Sequence, residues 1–337
     1  MYKRQINDLP SGEFKSSLKD LNPSARAKAL EQLQGFSFPA ADVESLRVDP
    51  EGSLLYVETA SPVTVDAQVM SLPDALESSI AADPQNVFKL HSRPGSSNVL
   101  FLDFDGHTLR NTAWNTVMSQ SVLEALPFDA DNNDNPSTVA NFTQGEMNRI
   151  AEIWHRIATD FAAFDIDVTT EEPAVFTATT GHVLFTDDLD ANGRYMPYYN
   201  ATGAAHVNVF GEANSGTYYP TLVYYTNLYT YLQGYPAPVA ESASHEFGHQ
   251  LGLSHDGLVN QPSYYNYQGH GTGLVSWAPI MGSSYGKNVT QWSQGEYPGA
   301  SNPEDDIAII AEKLGYISDD HADSPSQATA LAVDPDG

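Results

Sequence analysis

Three histidines and one glutamate stand close together in one short stretch, which reads His-Glu-Phe-Gly-His-Gln-Leu-Gly-Leu-Ser-His-Asp-Gly. If this stretch begins as a helix, His245 and His249 lie one turn apart on the same face, where two imidazoles can bind one zinc ion. Gly252 can adopt the positive φ of a sharp turn, and that turn would bring His255 back as a third nitrogen ligand. Glu246 is next to the first ligand, so its carboxylate can reach a water molecule at the metal without binding the metal itself.

The spacing is specific enough to predict zinc binding. A chance His-Glu-x-x-His is expected on the order of once in fifty chains of this composition, and the added Gly252 and His255 lower the chance to roughly one in tens of thousands. Because the chain has no cysteine, only His, Asp, Glu or backbone oxygen can hold a metal. A structural zinc site normally has four protein ligands, whereas this motif supplies three, so the pattern favours a catalytic zinc with an open position.

The motif resembles that of the metzincin metallopeptidases, because every fixed position of HExxHxxGxxH is matched. With Asp256 directly after the third histidine, the motif resembles that of the adamalysin or reprolysin branch. In that branch the aspartate supports the site from beneath. The resemblance implies a Met-turn, and Met281 in the sequence Ala-Pro-Ile-Met-Gly is the candidate. In some metzincins a tyrosine two residues after this methionine binds the metal. Here that position is Ser283, and the nearest tyrosine, Tyr285, is the candidate for a metal ligand or a group that stabilises the transition state.

The resemblance implies a zinc-dependent endopeptidase (EC 3.4.24) that hydrolyses protein or peptide substrates. Zinc held by three neutral imidazoles lowers the pKa of a bound water toward about 7, and Glu246 would act as the general base that takes the proton. The implied fold is α/β (α+β), a twisted mixed sheet with long helices, an active-site helix and a Met-turn.

Two other functions are compatible with the same residues. One is a catalytically silent module on the same fold that binds an extracellular protein or glycan. Glu246 argues against it, because silent relatives usually lose the general base. The other is a zinc hydrolase of small amides, against which a tyrosine-rich stretch before the motif and an N-terminal prosegment both argue.

The charge distribution divides the chain. Its 337 residues carry 15 basic and 43 acidic side chains, a net charge of −28, which excludes a nucleic-acid binder that works through a basic surface. Residues 1–95 carry 9 basic and 13 acidic side chains, against 6 and 30 in residues 96–337. The proline-containing stretch 71–97 predicts a linker between them. We therefore predict a propeptide with its linker (1–95), a zinc metallopeptidase catalytic domain (96–317) and the truncated start of a C-terminal domain, or a linker (318–337).

The N-terminal segment has the position of a propeptide that keeps a secreted peptidase latent as a zymogen. Most of the basic residues lie in it, so opposite charge favours its docking on the acidic remainder. Since no cysteine is available as a blocking thiolate, we expect Asp42 or Asp49, or simple filling of the cleft, to block the metal. A stabilising N-terminal extension is the alternative. The N-terminus has no apolar signal core, and no run approaches the roughly 18 apolar residues of a membrane helix.

Periodicity predicts the elements that position these residues. A capping box of Thr143 and Glu146, followed by apolar residues at helical spacing, indicates a helix from Thr143 to Phe164. The stretch His206–Phe210 predicts either a substrate-binding edge strand or an ordinary sheet strand. The other predicted elements are a helix that begins at Asn302 and Pro303 and ends at Gly315, a helix at 24–33, and strands at 53–58, 99–102, 164–170, 182–185 and 222–225.

Calcium is the second metal that the sequence suggests. Asp129, Asp131, Asn133 and Asp134 concentrate oxygen ligands as in the start of an EF-hand loop. Position six of this loop lacks glycine, and position twelve is Ala140 instead of glutamate. A structural calcium site and a solvated acidic turn are both compatible with the pattern.

Overall fold

The computed structural model describes residues 6, 9–59, 73–130, 142–232, 236–259, 261, 268–318, 324 and 326. In this part of the chain there are eight α-helices and eleven β-strands. The helices are α1 (Glu13–Asp20), α2 (Pro23–Gly35), α3 (Asp74–Ala82), α4 (Ala113–Met118), α5 (Gln144–Asp160), α6 (Tyr225–Leu232), α7 (Pro236–Leu251) and α8 (Asp306–Leu314). The strands are β1 (Leu46–Val48), β2 (Leu54–Thr59), β3 (Val99–Asp103), β4 (His107–Leu109), β5 (Leu123–Ala125), β6 (Asp167–Thr169), β7 (Thr180–Thr186), β8 (Ala201–His206), β9 (Thr221–Tyr224), β10 (Trp277–Pro279) and β11 (Val289–Gln291).

A seven-stranded sheet has the order β1-β2-β8-β9-β7-β3-β6. Strands β9, β7, β3 and β6 are parallel, whereas β8 is antiparallel to β9, β2 to β8, and β1 to β2. The prediction of a mixed α/β fold with a twisted mixed sheet is therefore confirmed. Because β1 and β2 come from the N-terminal segment, β8 is the edge strand of the remaining sheet.

Helices α5 and α7 pack against one face of this sheet. Leu100 and Val183 from the strands belong to the same buried cluster as Ile150 of α5 and Phe247 of α7. The close approach requires Gly181 in β7, since a Cβ there would lie 2.5 Å from the Phe247 ring. The opposite face carries a second buried cluster, which includes Trp114, Leu184, Leu222 and Tyr224.

The N-terminal segment is built into the same sheet. Strand β2 pairs with β8 along most of its length, and β1 pairs with β2. Helices α1 and α2 bury Phe14, Leu18 and Leu33 against Tyr56 of β2. The segment thus has its own small core, and it also closes the edge that β8 would otherwise expose.

The prediction of a linker at residues 71–97 is wrong over its described part. This part contains α3 and a short 3-10 helix at Pro84–Phe88. Ile80, Val87 and Leu90 are buried in the same core as α5 and α7. Proline here marks the start of short helices, a position that it tolerates well, instead of an extended connection.

The strand predicted at His206–Phe210 is also wrong, because β8 ends at His206. Asn208 has a φ of 56°, in the left-handed region, and its N–H donates to the His249 carbonyl oxygen at 2.9 Å. The chain therefore turns beneath the end of α7. The edge strand is formed by the preceding residues, Ala201–His206.

Local capping signals were reliable for one helix and misleading for another. Helix α5 begins, as predicted, at a reciprocal capping box of Thr143 and Glu146. The start predicted for α8 at Asn302 is wrong, since Asp305 is the N-cap and the Asn302 amide donates to Ser254 instead. The remaining predicted helices and strands overlap the observed ones. No helix among the described residues is long and apolar enough to cross a membrane.

The turn between β1 and β2 depends on Gly52. Its φ is +84°, and a Cβ at this position would lie 2.0 Å from the backbone oxygen of Ala25 in α2. We expect Gly52→Ala to lower the free energy of unfolding of the intact chain by about 2–4 kcal/mol, because backbone strain adds to overlap with a helix. Urea unfolding followed by circular dichroism measures this. Gly35→Ala is the control, since a Cβ there meets nothing within 4 Å. An equal loss of stability in both variants would contradict this account of the turn.

Candidate metal centre

Helix α7 and the turn after it bring the three predicted histidines together. His245 and His249 lie one turn apart, and their Nε2 atoms are 3.1 Å from each other. Gly252, with a φ of +109°, lets the chain reverse after the helix. The ring of His255 then lies 5.2 Å from that of His245 and 4.7 Å from that of His249, centroid to centroid. All three rings are buried.

The other nitrogen of the two helix histidines, His245 and His249, is held by a main-chain hydrogen bond. The Nδ1 atom of His245 lies 2.9 Å from the carbonyl oxygen of Ile280, and that of His249 lies 2.9 Å from the carbonyl oxygen of Leu253. Such hydrogen bonds place the proton on Nδ1 and leave Nε2 as the free electron-pair donor. The rings are therefore oriented for binding a metal through Nε2.

A fourth donor, Glu58, comes from β2 and was missed by sequence reasoning. Its Oε1 lies 3.0 Å from His255 Nε2 and 3.8 Å from His249 Nε2. Ligand atoms of Glu58 and the three histidines all lie within 4.8 Å of one another. One feature of the sequence could have indicated this role: Glu58 is the only charged residue in the strand Leu-Leu-Tyr-Val-Glu-Thr. In the structure its side chain is fully buried.

Burial and neighbouring charges shift the pKa of the four side chains in this group. Burial and the neighbouring His255 lower the pKa of His245 to about 4, and burial lowers the pKa of His249 well below its usual range. Burial also lowers the pKa of His255, but the charges of Glu58 and Asp42 outweigh it and raise the pKa to about 10. The pKa of Glu58 falls well below its usual value because the histidine charges outweigh its burial. A negative carboxylate thus faces imidazole nitrogens in a buried pocket.

Glu246 lies next to this group but has no hydrogen-bond partner for either carboxylate oxygen among the described residues. Its carboxylate rests against Gly203 of β8, where a Cβ would lie 2.2 Å from Oε1. Burial and the charge of Glu58 raise the pKa of Glu246 well above its usual range. A fully buried carboxylate without a partner is costly, which indicates that a further polar group belongs at this position.

Three imidazole nitrogens and one carboxylate oxygen form a donor set that fits a zinc ion. Ligands about 2.1 Å from a tetrahedral zinc lie roughly 3.4 Å apart. The separations of 3.0 Å between Glu58 and His255 and 3.1 Å between His245 and His249 are close to that value. These buried groups can therefore hold a metal ion. No protein-family model, curated protein or solved structure matches the chain.

Met281 and Asp256, predicted as supporting residues, contact each other and the helix that carries two of the histidines. The Met281 sulfur packs so closely on Gly248 that a Cβ there would lie 2.6 Å from it. The Asp256 N–H donates to the Met281 carbonyl oxygen at 2.8 Å, and its Oδ2 accepts from Ser293 Oγ at 2.6 Å. These contacts join the turn after α7 to the Met281 loop.

Tyr285 is buried close to the same centre. Burial raises its pKa well above the usual range, and the charges of Glu246 and Glu58 raise it further. The hydroxyl groups of Thr202 and Ser242 act in the opposite direction. The phenol therefore remains protonated and can donate a hydrogen bond.

The two carboxylates predicted to block the metal occupy different positions. Asp42 Oδ2 accepts from the His255 N–H at 3.1 Å and lies 3.4 Å from His255 Nδ1, so Asp42 contacts that ring from behind. Asp49 lies 3.3 Å from His206 Nε2 and accepts from the Ser53 N–H. Of the N-terminal carboxylates described, Glu58 is the one that reaches the Nε2 side of the histidines.

The predicted calcium loop is described only at its start. Asp129 is half-buried and follows the buried Phe128. Asp131, Asn133 and Asp134 lie outside the described residues, so the calcium site remains a prediction.

We expect the intact chain to bind zinc at this centre, and His249→Ala to lower the zinc content by one equivalent per chain, because it removes the donor between the other two rings. Metal analysis after dialysis against a weak chelator measures the content. His270→Ala, an exposed histidine outside the centre, is the control. Unchanged zinc content in His249→Ala would contradict the assignment of this centre.

Proposed function

We propose that the chain is the latent form of a secreted zinc metalloendopeptidase. The observation that carries this proposal is the group formed by His245, His249 and His255 beside the buried carboxylate of Glu246, which has no hydrogen-bond partner in the described part of the chain. A structural zinc site has no use for such a neighbour, whereas hydrolysis requires a base beside the metal. The resemblance of the motif to that of metzincins supports the same proposal.

Each residue of the centre has a role in the proposed reaction. The three imidazoles would hold the metal through Nε2, while their Nδ1 contacts keep the rings in place. A bound zinc ion supplies a Lewis acid that polarises a peptide carbonyl and lowers the pKa of water. Glu246 accepts the proton of the attacking water and delivers it to the departing amine. Tyr285 is the candidate to donate a hydrogen bond to the developing oxyanion.

Strand β8 is the proposed site for the substrate backbone. An extended peptide can add to an open sheet edge through main-chain hydrogen bonds. In the intact chain that edge is filled by β2, with Glu58 directly opposite Gly203. Gly203 in turn contacts the Glu246 carboxylate. The segment therefore lies where a scissile peptide would lie, antiparallel to β8.

Two contacts made by the N-terminal segment would account for latency. The β2 backbone covers β8, and the Glu58 carboxylate occupies the fourth donor position beside the three histidines. We therefore assign the blocking role to Glu58 in place of Asp42 or Asp49. Latency of this kind suits a peptidase that is exported before it acts on protein substrates.

One observation favours a catalytically silent module as the second candidate. Four protein donors are what a closed structural zinc site has, and Glu58 supplies the fourth. In such a module the N-terminal segment would never leave, and the outer surface would bind an extracellular protein or glycan. Release of the segment distinguishes the two functions, because only the peptidase gains activity from it.

We expect Glu246→Gln to lower casein hydrolysis by about 10²–10⁴-fold once the N-terminal segment has been released, since an amide cannot accept the proton. Zinc content should not change. The exposed Glu212→Gln variant is the control, and both variants are compared by initial rates on fluorescent casein. Undiminished hydrolysis by Glu246→Gln would contradict its role as the base.

A site-specific protease sequence placed between residues 60 and 72 tests latency directly. Cleavage and removal of the segment should raise casein hydrolysis at least about 10-fold, because both the sheet edge and the fourth donor position become open. In the uncleaved chain, Glu58→Gln should activate partially, since β2 still covers β8. Glu51→Gln, in the exposed turn of the same segment, is the control. Equal activity before and after cleavage would contradict latency, and equal activation by both Gln variants would contradict the role of Glu58.

A further inference from the structure

A second group of metal-binding side chains lies on the face of the sheet opposite to α7. In the pairing of β3 with β7, Asp103 is opposite Leu184, and Phe101 is opposite His182. Leu184 packs in the buried cluster on the face remote from α7. Because alternate residues of a strand share a face, Asp103 and His182 also lie on that side. His107, the first residue of β4, completes the group.

The two histidines share one carboxylate oxygen. Asp103 Oδ2 lies 2.9 Å from His182 Nε2 and 3.2 Å from His107 Nδ1. The two imidazole rings are 4.7 Å apart, centroid to centroid, and nearly perpendicular at 78°. Donor atoms at these separations can each lie about 2.1 Å from one common ion.

The two histidines pair with only one oxygen of the Asp103 carboxylate. Asp103 is 2% exposed, and its Oδ1 has no hydrogen-bond partner among the described residues. A buried carboxylate oxygen in this state is costly. The charges of Asp105 and Glu172 also act on His107. A cation bound to Asp103 would give Oδ1 a partner.

The surroundings provide rigidity on one side and access on the other. The rings of Phe101 and Phe176 lie 5.2 Å and 5.4 Å from the ring of His182, which is 3% exposed. His107 is 30% exposed. Both histidines line a cavity of about 420 Å³. An ion can thus enter past His107, and coordination positions not filled by the protein would face this cavity.

We propose that Asp103, His107 and His182 bind a second divalent transition-metal ion. Two imidazoles and one carboxylate are a donor set found with zinc and with iron(II). The site lies across the sheet from the centre on α7 and shares no residue with it. The proposal therefore does not depend on the proposed function.

Metal titration of a full-length chain that carries His245→Ala and His249→Ala isolates this site. Zinc binding is measured by calorimetry, and cobalt(II) binding is measured by visible absorption. Each titration should show one metal ion bound per chain. Adding Asp103→Asn or His182→Ala should weaken binding at least about 100-fold, because one of three donors is lost. If the double variant binds neither metal, the proposal is overturned, and Asp103 serves only to pair with two histidines.

His91→Ala in the same background is the matched control. His91 also contacts two carboxylates, Asp167 at 2.7 Å and Glu171 at 2.9 Å, but belongs to no group of three metal-binding residues within the described part. The His91→Ala variant should leave the zinc affinity unchanged. Loss of zinc binding in this variant equal to that in Asp103→Asn would overturn the proposal. Asp103→Asn preserves side-chain volume, and the zinc-induced rise in its unfolding temperature, expected to vanish, gives a second readout that remains usable if His182→Ala does not fold.

Discussion

Hydrogen bonds from the Nδ1 atoms of His245 and His249 to main-chain carbonyl oxygens direct the Nε2 sides of both rings at one point. The acceptors belong to the Met281 loop and to the turn that Gly252 permits, so the positions of these loops determine the position of the donors. The third ring, His255, is held through Asp42, a residue of the N-terminal segment. Every proposed property of the centre depends on this convergence, because a metal binds strongly only where several donors are already oriented.

The N-terminal segment completes the sheet and the donor set at once. Pairing of β2 with β8 satisfies main-chain groups that an edge strand would otherwise leave open, and it carries Glu58 to the histidines. The same pairing is what an extended peptide substrate would require. Latency and substrate binding are therefore competing uses of one strand edge. The Glu246 carboxylate, for which the described residues offer no hydrogen-bond partner, is the feature that neither the sheet nor the segment explains.

Local features of this fold could be predicted from the sequence, and long-range ones could not. The three histidines converge because one helix and one glycine turn determine their geometry, and the start of α5 was predictable because its capping box spans four residues. Glu58 lies 197 residues before His255, and no local pattern tells which strand will pair with β8. The prediction of a strand at His206–Phe210 was wrong because the apolar alternation continues past Asn208. At Asn208 the chain turns, and its N–H donates a hydrogen bond to the His249 carbonyl oxygen of α7.

We propose that His245, His249, His255 and Glu58 hold one zinc ion in the intact chain. Anomalous diffraction above and below the zinc edge, from crystals of the uncleaved chain grown with zinc, tests it most directly. We expect an anomalous peak about 2.1 Å from the three Nε2 atoms, with the Glu58 carboxylate on its open side. Rings that point apart, or a zinc peak near these histidines that Glu58 does not contact, would contradict it.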